Sequence, residues 1–492
     1  MASLSSLVTD TVQSAGAAGG TVTMTATGNI ETGQTVILNS DGTVSVVGEI
    51  NVATSAGALQ YVESPSSSFV GLCTGGAYHP VQNKIMVFYY KAQGNVFRGV
   101  VGTVSGSTIS FGTPIDMYSG SIDAVSATYD VASGNIAAFY IAGGTLLVGR
   151  VCVVTGTTFT MGSAVNLSTS AVGDYRYDRV LSVYDSTNNK ILVQYQAIST
   201  YVQTMIVCTV SGTSVSGGTP VSIVSGGLDS YSGSLAYDSS AQKVYALVRG
   251  NLFVGTVSGT SVSFGSAQMF ESGALYSAVV YDPVNNKSVV LYSGGTSNYL
   301  RYRVATYGGS NTVSYGTSTL VANVAPTFVT GTYDSTYGKV VFMYRDPTVG
   351  EGKVLVGKIS GDSLTFDSPV TVDSSNTGAS TTFFNSNSGS TMAAFVSDRG
   401  NFGPVAVSSI TSSHSSTTAP GWIGIAAANI TNATSGPITV IGGINTGVTN
   451  LTANTTYYVS SNGALTSNSV STYGKIGKAL TANSIIITSG NT

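Results

Sequence analysis

The stretch YDSTNNKILVQY at residues 184–195 recurs in variant form along the middle of the chain. Each copy has an aromatic residue, usually an Asp, a short turn, and then an apolar run that often ends in Tyr. The copies begin at Tyr78, Tyr129, Tyr184, Tyr237, Tyr281 and Tyr333, with a degenerate seventh copy at Phe384. The residues at the Asp position are His79, Asp130, Asp185, Asp238, Asp282, Asp334 and Asn385, which lie 44 to 55 residues apart. This spacing indicates a repeat architecture.

The chemistry of the phrase indicates a hairpin turn followed by a buried strand. An Asp before four turn residues can accept backbone N–H bonds as an Asx turn, and Asn or Gly supplies the positive φ that closes the hairpin. The apolar run occupies successive positions, which is typical of a strand covered on both faces. The residues that we therefore predict to be structural turn caps are Asp130, Asp185, Asp238, Asp282 and Asp334.

A second phrase, GTVSGTSVSFG at residues 255–265 and its relatives, follows most copies about twenty residues later. It alternates small polar and apolar residues around a Gly-containing turn, as a more exposed outer hairpin would. Two hairpins make a four-stranded unit, and seven such units can close a ring. We predict an all-β fold with a seven-bladed β-propeller, and an open β-solenoid is the rival architecture. The seventh copy lacks the second phrase, so its blade is expected to borrow a strand from a flank.

The composition restricts the class of protein. Only 8% of the residues are charged, 42% are apolar and 60 are Gly, which favours β-structure with many tight turns. The net charge is −3 and Lys and Arg do not cluster, which argues against a nucleic-acid partner. No window of eighteen apolar residues is present, so we expect no membrane insertion. The amino end does not look like a secretory signal, so synthesis in the cytoplasm is expected.

Residues that could carry chemistry are few. With only His79 and His414, a Ser-His-Asp triad or a histidine metal site is poorly supported. Oxygen-rich turns such as YDSTNNK lack the Gly and Glu positions of an EF-hand, so turn capping is favoured over calcium binding. We therefore expect no catalytic residue, cofactor or metal. Glu271 and Glu351 in inter-strand loops leave open an acidic pair for glycoside hydrolysis.

Two further groups of residues have simple predicted roles. The three cysteines are far apart and odd in number, so we interpret them as small core residues; they are Cys73, Cys152 and Cys208. The runs DYRYDR at 174–179 and NYLRYR at 298–303 carry tyrosines suited to surface contacts with sugars or proteins. The possible contact residues are Tyr175, Tyr177, Tyr299 and Tyr302, although ordinary strand tyrosines are the simpler interpretation.

The flanks share a phrase with each other. NIETGQTVILNSDGTVSVV from Asn29 matches NLTANTTYYVSSNGALTSN from Asn450 in turn position and apolar spacing, and both indicate hairpins. We predict an amino-terminal arm and β-rich module at 1–68, the propeller at 69–411 and a carboxyl-terminal β-rich module at 412–492. Because a closed ring brings its ends together, the flanks are expected to form one mount or two similar modules, with the propeller inserted between them.

The phrases YDSTNNKILVQY, VGTVSGTSVSFG and LNSDGTVSVVGE resemble repetitive virion structural proteins of tailed bacteriophages that infect marine cyanobacteria and other marine bacteria. The carboxyl part from Trp422 is similar to β-rich modules of phage tail fibres and capsid decoration proteins. The resemblance covers nearly the whole chain and implies a structural role in the virion, with no catalytic residues to carry over.

These observations predict a non-enzymatic virion protein, a tail-fibre or host-attachment component whose propeller binds the host cell surface. The expected partners are other virion proteins of the tail or capsid and a host surface glycan or protein, and a homo-oligomer is expected to give avidity. The alternatives are a capsid decoration or head-fibre protein and a glycan-degrading propeller.

Overall fold

The computed structural model describes residues 20–63, 70–168, 180–197, 202–224, 233–397, 404–470 and 472–488. The chain divides into two compact units. The larger unit is Ala53–Ser413, and the smaller unit combines Met1–Val52 with His414–Thr492. Apart from one short 3₁₀ helix, Ala419–Gly421, the regular structure assigned in the described part is β-strand. The protein is therefore all-β.

The larger unit is built from repeated sheets of one design. Each sheet has an inner strand, a second strand and a third strand in antiparallel order, and two short outer strands share the free edge of the third. In the first sheet, for example, Thr108–Phe111 pairs with the carboxyl half of Val96–Ser105 and Ile115–Ser119 with its amino half. The outer position is thus one split strand, and each sheet is a four-stranded, propeller-like blade.

The strands of the first four sheets follow in chain order. The first sheet has Val70–His79, Lys84–Lys91, Val96–Ser105, Thr108–Phe111 and Ile115–Ser119. The second has Ile122–Asp130, Asn135–Ala142, Leu146–Thr155, Thr158–Met161 and Val165–Ser168. The third has Leu181–Asp185, Lys190–Ala197, Val202–Ser211, Ser214–Gly217 and Val221–Val224. The fourth has Gly233–Asp238, Lys243–Val248, Asn251–Ser258, Ser261–Phe264 and Gln268–Met269.

Three more sheets complete the larger unit. The fifth has Leu275–Asp282, Lys287–Gly294, Tyr299–Gly309, Thr312–Tyr315 and Thr319–Ala322. The sixth has Thr327–Asp334, Lys339–Arg345, Gly352–Ser360, Ser363–Phe366 and Val370–Asp373. The seventh has Ser380–Asn385, Ser390–Val396 and Val405–Thr411, and its two outer strands are Ser55–Ala56 and Gln60–Tyr61.

Burial along the strands follows the two sequence phrases. In Lys190–Ala197 six successive residues are buried, which confirms the prediction of a strand covered on both faces. In the outer strand Ser261–Phe264 buried and exposed positions alternate, as predicted for the second phrase. Apolar contact between successive sheets therefore supplies most of the stabilising burial, because the second strands present apolar side chains to both neighbours.

Hydrophobic clusters join each sheet to the next. Phe88 and Phe97 of the first sheet pack with Tyr140 of the second, and similar clusters join every later pair in turn. One further cluster combines Val87 of the first sheet with Met392 of the seventh. The first and last sheets are thus neighbours, and the series of clusters returns to its start.

The seventh sheet takes its outer strands from the beginning of the unit. Ala56 pairs with Ile410 and Gln60 pairs with Val407. This confirms the prediction that the last blade borrows a strand from a flank. Residues 53–62, which the predicted boundary at residue 68 places with the amino-terminal module, are held by these pairings in the larger unit.

The smaller unit is formed by both flanks. Its first sheet has the order Thr21–Thr25, Ser435–Thr439, Trp422–Ala426, Thr35–Leu38 and Val44–Val46, so two strands from the carboxyl-terminal flank lie between strands from the amino-terminal flank. Val22 lies opposite Ile438, and Val36 lies opposite Gly424. The flanks thus share one sheet, as the single-mount alternative predicts.

Two further sheets complete the described part of this unit. One has the order Ile444–Asn445, Ser484–Ile487, Lys475–Thr481, Thr456–Val459 and Leu465–Thr466, and the other pairs Glu49–Val52 with His414–Thr417. Trp422 is fully buried in a cluster with Ile476 and Ile485, and its indole N–H donates to the Tyr473 carbonyl at 2.7 Å. The single tryptophan therefore has a packing role.

Candidate functional site

The inner strands of the larger unit surround a cavity of about 430 Å³. Six of the seven inner strands contribute to its described lining, and hydroxyl groups are frequent in it. The hydroxyl-bearing lining residues other than tyrosine are Ser126, Thr128, Ser182, Ser234, Thr330, Thr381, Thr382 and Ser386. None of the described residues that line the cavity is Asp, Glu, Lys, Arg or His. The cavity is therefore polar and uncharged, and its volume is in the range of small-molecule sites.

Part of the hydroxyl lining is fixed by hydrogen bonds between neighbouring sheets. The Ser182 hydroxyl lies 2.8 Å from that of Ser126 and 2.6 Å from that of Thr128. On another side of the cavity the Thr330 and Thr382 hydroxyls are 3.3 Å apart. Each hydroxyl can both donate and accept, so this lining can exchange hydrogen bonds with the hydroxyls of a bound polyol.

Tyrosines stand at one end of the inner strands. Tyr78, Tyr129 and Tyr184 also line the cavity. Burial raises the pKa of all three phenols above 10.0, so they are neutral donors at physiological pH. The Tyr184 hydroxyl donates to the Asn189 side chain at 2.8 Å, and Tyr78 does the same with Asn83 at 3.2 Å. In these two copies the tyrosine of the repeat phrase is thus hydrogen-bonded to its own turn, whereas Tyr237 donates to Thr187 in the turn of the preceding sheet, at 2.7 Å.

The repeat-phrase carboxylates cap turns. Asp185 accepts the backbone N–H groups of Thr187 at 2.9 Å and Asn188 at 3.0 Å. Asp238, Asp282 and Asp334 make the equivalent pair of bonds, and Asp130 accepts from Ser133. In the two copies without Asp, the Asn385 amide oxygen accepts from residues 387 and 388, and the His79 Nδ1 accepts from Gln82. These bonds are those of Asx turns and their analogues.

The residue that closes each turn has a positive φ in all seven copies. It is Asn, Gly or, once, Gln, and the φ values run from 50° at Asn83 to 71° at Gly134. This confirms the predicted left-handed residue. Asn189 and Asn286 have φ of 52°, a conformation that Asn tolerates better than most residues. The turn oxygens are therefore used within the turns, and no group of three or more His, Cys, Asp or Glu suited to a metal ion occurs in the described ranges.

The glutamates of the larger unit are held by cations and tyrosines. Glu63 accepts from Lys91 and Tyr89, both at 2.5 Å, and from Arg98 at 2.8 Å. Burial alone would raise the pKa of Glu63, but these three donors outweigh burial and lower the pKa below its usual 4.5. The sequence did not lead to a prediction of this cluster. Its only signal in the sequence is that Lys91 ends one strand of a predicted hairpin and Arg98 lies near the start of the next.

The acidic pair considered for glycoside hydrolysis is divided between two sheets. Glu271 lies 3.9 Å from Arg303 and 3.3 Å from the Tyr292 hydroxyl, in the fifth sheet. Glu351 lies 3.5 Å from Lys353 in the sixth sheet and accepts from Thr371 at 3.2 Å. Each carboxylate therefore has its own local partners.

Of the four tyrosines predicted as surface contacts, Tyr299 is 36% exposed. The prediction is wrong for Tyr302, which is only 6% exposed and exchanges hydrogen bonds with the backbone of Leu364 at 3.0 and 3.2 Å. Tyr302 lies between Arg301 and Arg303 in its strand. Because successive side chains of a strand point to opposite faces, Tyr302 lies on the packed face. Tyr175 and Tyr177 lie outside the described residues.

The cysteines that the structure describes are core residues. Cys152 and Cys208 are buried and free, and burial raises the pKa of each thiol to about 12. The side chain of Cys73 lies outside the described part of the structure. Within the ranges given above, no helix has the length and apolar character needed to cross a membrane.

No protein-family model matches the sequence, and no curated protein matches it in sequence. Among solved structures, the β-propeller domain of Cps50 (Swd1) from Myceliophteria thermophila is 8% identical, with a TM-score of 0.46, over 73% of this chain and 100% of that one. A protein from Lactobacillus plantarum is 10% identical, with a TM-score of 0.45, over 70% and 96%. An Aleuria aurantia lectin mutant in complex with Fucα1-6GlcNAc is 13% identical, with a TM-score of 0.38, over 62% and 96%. At these scores the description of the fold rests on the strand pairing and clusters given above.

Proposed function

We propose that the protein is a non-enzymatic, carbohydrate-binding β-propeller of seven blades, carried on a bacteriophage particle and used to attach to the host cell surface. The observation that carries the binding function is the uncharged, hydroxyl-lined cavity between the inner strands. Sugars present hydroxyls and apolar ring faces, and hydroxyl and tyrosine side chains complement both. Binding of this kind breaks no bond.

The use of the ionisable groups supports a binding function over catalysis. A general acid or base must reach its substrate with a pKa suited to proton transfer. Here the repeat carboxylates cap turns, Glu63 is held by three donors, and His79 accepts a backbone N–H at 3.2 Å. Burial lowers the pKa of His79, which keeps its imidazole neutral at physiological pH.

The seven-bladed ring is supported by the clusters between sheets. Each of the seven sheets shares one hydrophobic cluster with the sheet before it and another with the sheet after it, and the seventh shares its second cluster with the first. The role in a virion is supported by the resemblance of the repeat phrases to phage virion proteins. A unit made from both flanks, with the propeller inserted between them, suits a mount on a larger particle.

Glycan binding is tested with the purified protein on an array of host envelope polysaccharides and by calorimetry with the positive glycans. Ser182→Tyr places a large side chain in the cavity, and Ser110→Tyr is the matched control on an exposed outer-strand position. We expect Ser182→Tyr to lose binding of neutral glycans and Ser110→Tyr to retain it, with both variants melting cooperatively. Equal binding by the two variants overturns the cavity assignment.

The place of the protein in a virion is tested on purified phage particles with a labelled antibody and electron microscopy. Label on the tail fits attachment, whereas label on the head supports the decoration alternative. Absence of the protein from particles overturns the virion role. Release of reducing sugar from a bound polysaccharide would support the glycan-degrading alternative and contradict the proposal of binding alone.

A further inference from the structure

A comparison of the third strands of the sheets shows one position that carries a positive charge in three of them. At this position the residue lies opposite the tyrosine that ends the repeat phrase on the second strand. The three pairs are Tyr89 with Arg98, Tyr292 with Arg301, and Tyr344 with Lys353. Since the register is the same, the surroundings of the three cations can be compared directly.

Carboxylates neutralise the cation in the first and sixth sheets. Arg98 donates to Asp116, its partner on the outer strand, at 2.6 Å and to Glu63 at 2.8 Å. Lys353 lies 3.3 Å from Asp346 and 3.5 Å from Glu351. Both cations are therefore used by ion pairs within the protein.

The fifth sheet lacks this neutralisation. The outer-strand residue opposite Arg301 is Leu320, in the place that Asp116 takes in the first sheet. Arg301 donates to the Ser318 hydroxyl at 3.3 Å, and within the described residues no carboxylate lies within 4.0 Å of its guanidinium. The neighbouring carboxylate, Glu271, lies 3.9 Å from Arg303. Two arginines and one glutamate leave this cluster with one excess positive charge.

Arg301 is half-buried, its Nε has no hydrogen-bond partner among the described residues, and two of its neighbours are exposed and partly apolar. Tyr299 and Arg301 are two residues apart on one strand, so their side chains lie on the same face, and Leu320 lies opposite on that face. Tyr299 is 36% exposed and Leu320 is 45% exposed. The Tyr292 and Ser318 hydroxyls, 2.7 Å apart, lie beside the arginine. An arginine without a carboxylate partner in the described part of the chain thus has two exposed neighbours on the same face that can contact the apolar face of a ring.

We propose that Arg301, Ser318 and Tyr299, with Leu320, form a second binding site of the fifth sheet that takes an acidic sugar. The carboxylate or sulfate of the sugar accepts charge-assisted hydrogen bonds from Arg301, in the place of the carboxylate that pairs with the equivalent cation in the first and sixth sheets. The Tyr299 ring packs on the sugar ring. This inference rests on the proposed carbohydrate-binding function and adds to it a class of ligand, which the uncharged cavity does not select.

The test compares trigalacturonate with its methyl ester, which is the same sugar without the charge, in calorimetric titrations of the full chain. Leu320→Asp places a carboxylate opposite Arg301 as in the first sheet, and Leu320→Asn is its neutral, isosteric control. Arg301→Gln removes the charge. We expect Leu320→Asp and Arg301→Gln to weaken trigalacturonate binding about tenfold or more, since a hydrogen bond to a charged group is lost, and Leu320→Asn to weaken it less than threefold, roughly.

The results separate this inference from the proposed function. If wild-type protein binds neutral glycans but binds trigalacturonate and a sulfated trisaccharide no better than the methyl ester, the acidic-sugar site is overturned and carbohydrate binding stands. If no glycan binds, both are overturned. Equal binding of trigalacturonate by Leu320→Asp and Leu320→Asn also overturns the site, and a melting temperature within a few degrees of wild type shows that the variants are folded.

Discussion

Asp282 gives the sharpest test of the turn-cap interpretation. Its carboxylate is fully buried. It accepts the backbone N–H groups of Val284 at 2.9 Å and Asn285 at 3.1 Å, and the Asn285 side-chain amide at 2.7 Å. Asp282→Ala removes three hydrogen bonds to a charged acceptor. Water can then take the place of the carboxylate as the acceptor for two of the three donors. We expect a loss of about 2 to 3 kcal/mol in the free energy of unfolding.

This loss converts to a measurable shift in melting temperature. An unfolding entropy of about 2.1 cal/mol/K per residue over Ala53–Ser413 is about 0.8 kcal/mol/K for the unit. Asp282→Ala is therefore expected to lower the melting temperature by about 3 to 4 °C in scanning calorimetry. Asp282→Asn should cost about 1 °C, because Asn385 makes the same two backbone bonds in the seventh sheet, at 3.1 and 3.2 Å.

The control is Asp362→Ala, which removes an exposed carboxylate paired with Lys287. Exposed ion pairs contribute about 0 to 1 kcal/mol, so this variant should melt within about 1 °C of wild type. If Asp282→Ala melts together with Asp362→Ala, or if Asp282→Asn is as unstable as Asp282→Ala, the carboxylate does not stabilise the turn by the hydrogen bonds described.

Four further predictions concern other parts of the larger unit. Gln242 has a φ of 57° and closes a turn that Asn or Gly closes in the other copies. Gln242→Gly should therefore raise the free energy of unfolding by about 0.5 to 1 kcal/mol in denaturant titrations, and Gly338→Ala should lower it by a similar amount. Gly57→Pro removes the N–H that donates to the Ser409 carbonyl at 2.8 Å. Amide hydrogen exchange should then accelerate in Val405–Thr411 of the seventh sheet more than in Lys339–Arg345 of the sixth. Equal acceleration in both strands would contradict the interpretation that this segment stabilises the seventh sheet locally. Burial raises the pKa of the Cys152 and Cys208 thiols to about 12, so peptide mass spectrometry should find both unalkylated by iodoacetamide at about pH 8 until denaturant is added. The pKa of Glu63 is lowered in the folded protein, so its contribution to the free energy of unfolding is complete above the usual value of 4.5 and is lost as the pH falls through the lowered value. Between about pH 5 and pH 3 the melting temperature of Glu63→Gln should therefore fall less than that of wild type. Parallel curves of melting temperature against pH would contradict this.

The sequence was sufficient to locate the turns and the buried strands. Each turn depends on residues within one phrase, such as Asp185 and Asn189, so local chemistry determines its geometry. The apolar run of Lys190–Ala197 likewise predicts a buried strand from the local sequence alone. The meeting of the flanks could be inferred because a closed ring brings its first and last blades together, although the two matching hairpins lie in different sheets.

Features that depend on register could not be inferred. Ser55–Ala56 and Gln60–Tyr61 are too short to show a strand pattern, and their place at the edge of the last sheet is set by ring closure. Tyr302 and Tyr299 look alike in the sequence, but alternation buries the first and exposes the second. The uncompensated charge of Arg301 depends on which residue lies opposite, and that residue, Leu320, is known only once the outer strand is placed.

The origin of the outer strands in the seventh sheet has a consequence for biosynthesis. Gly57 and Ser408, which are hydrogen-bonded, are 351 positions apart, so the first segment of the larger unit to be made pairs with its last strand. At translation rates of about 5 to 20 residues per second, the early strand waits roughly 20 to 70 s for its partner to be synthesised. Throughout that interval the segment is an unpaired edge. A neighbouring nascent chain offers the same acceptor strand, so we expect closely spaced ribosomes on one message to favour a domain-swapped pair over closure within one chain.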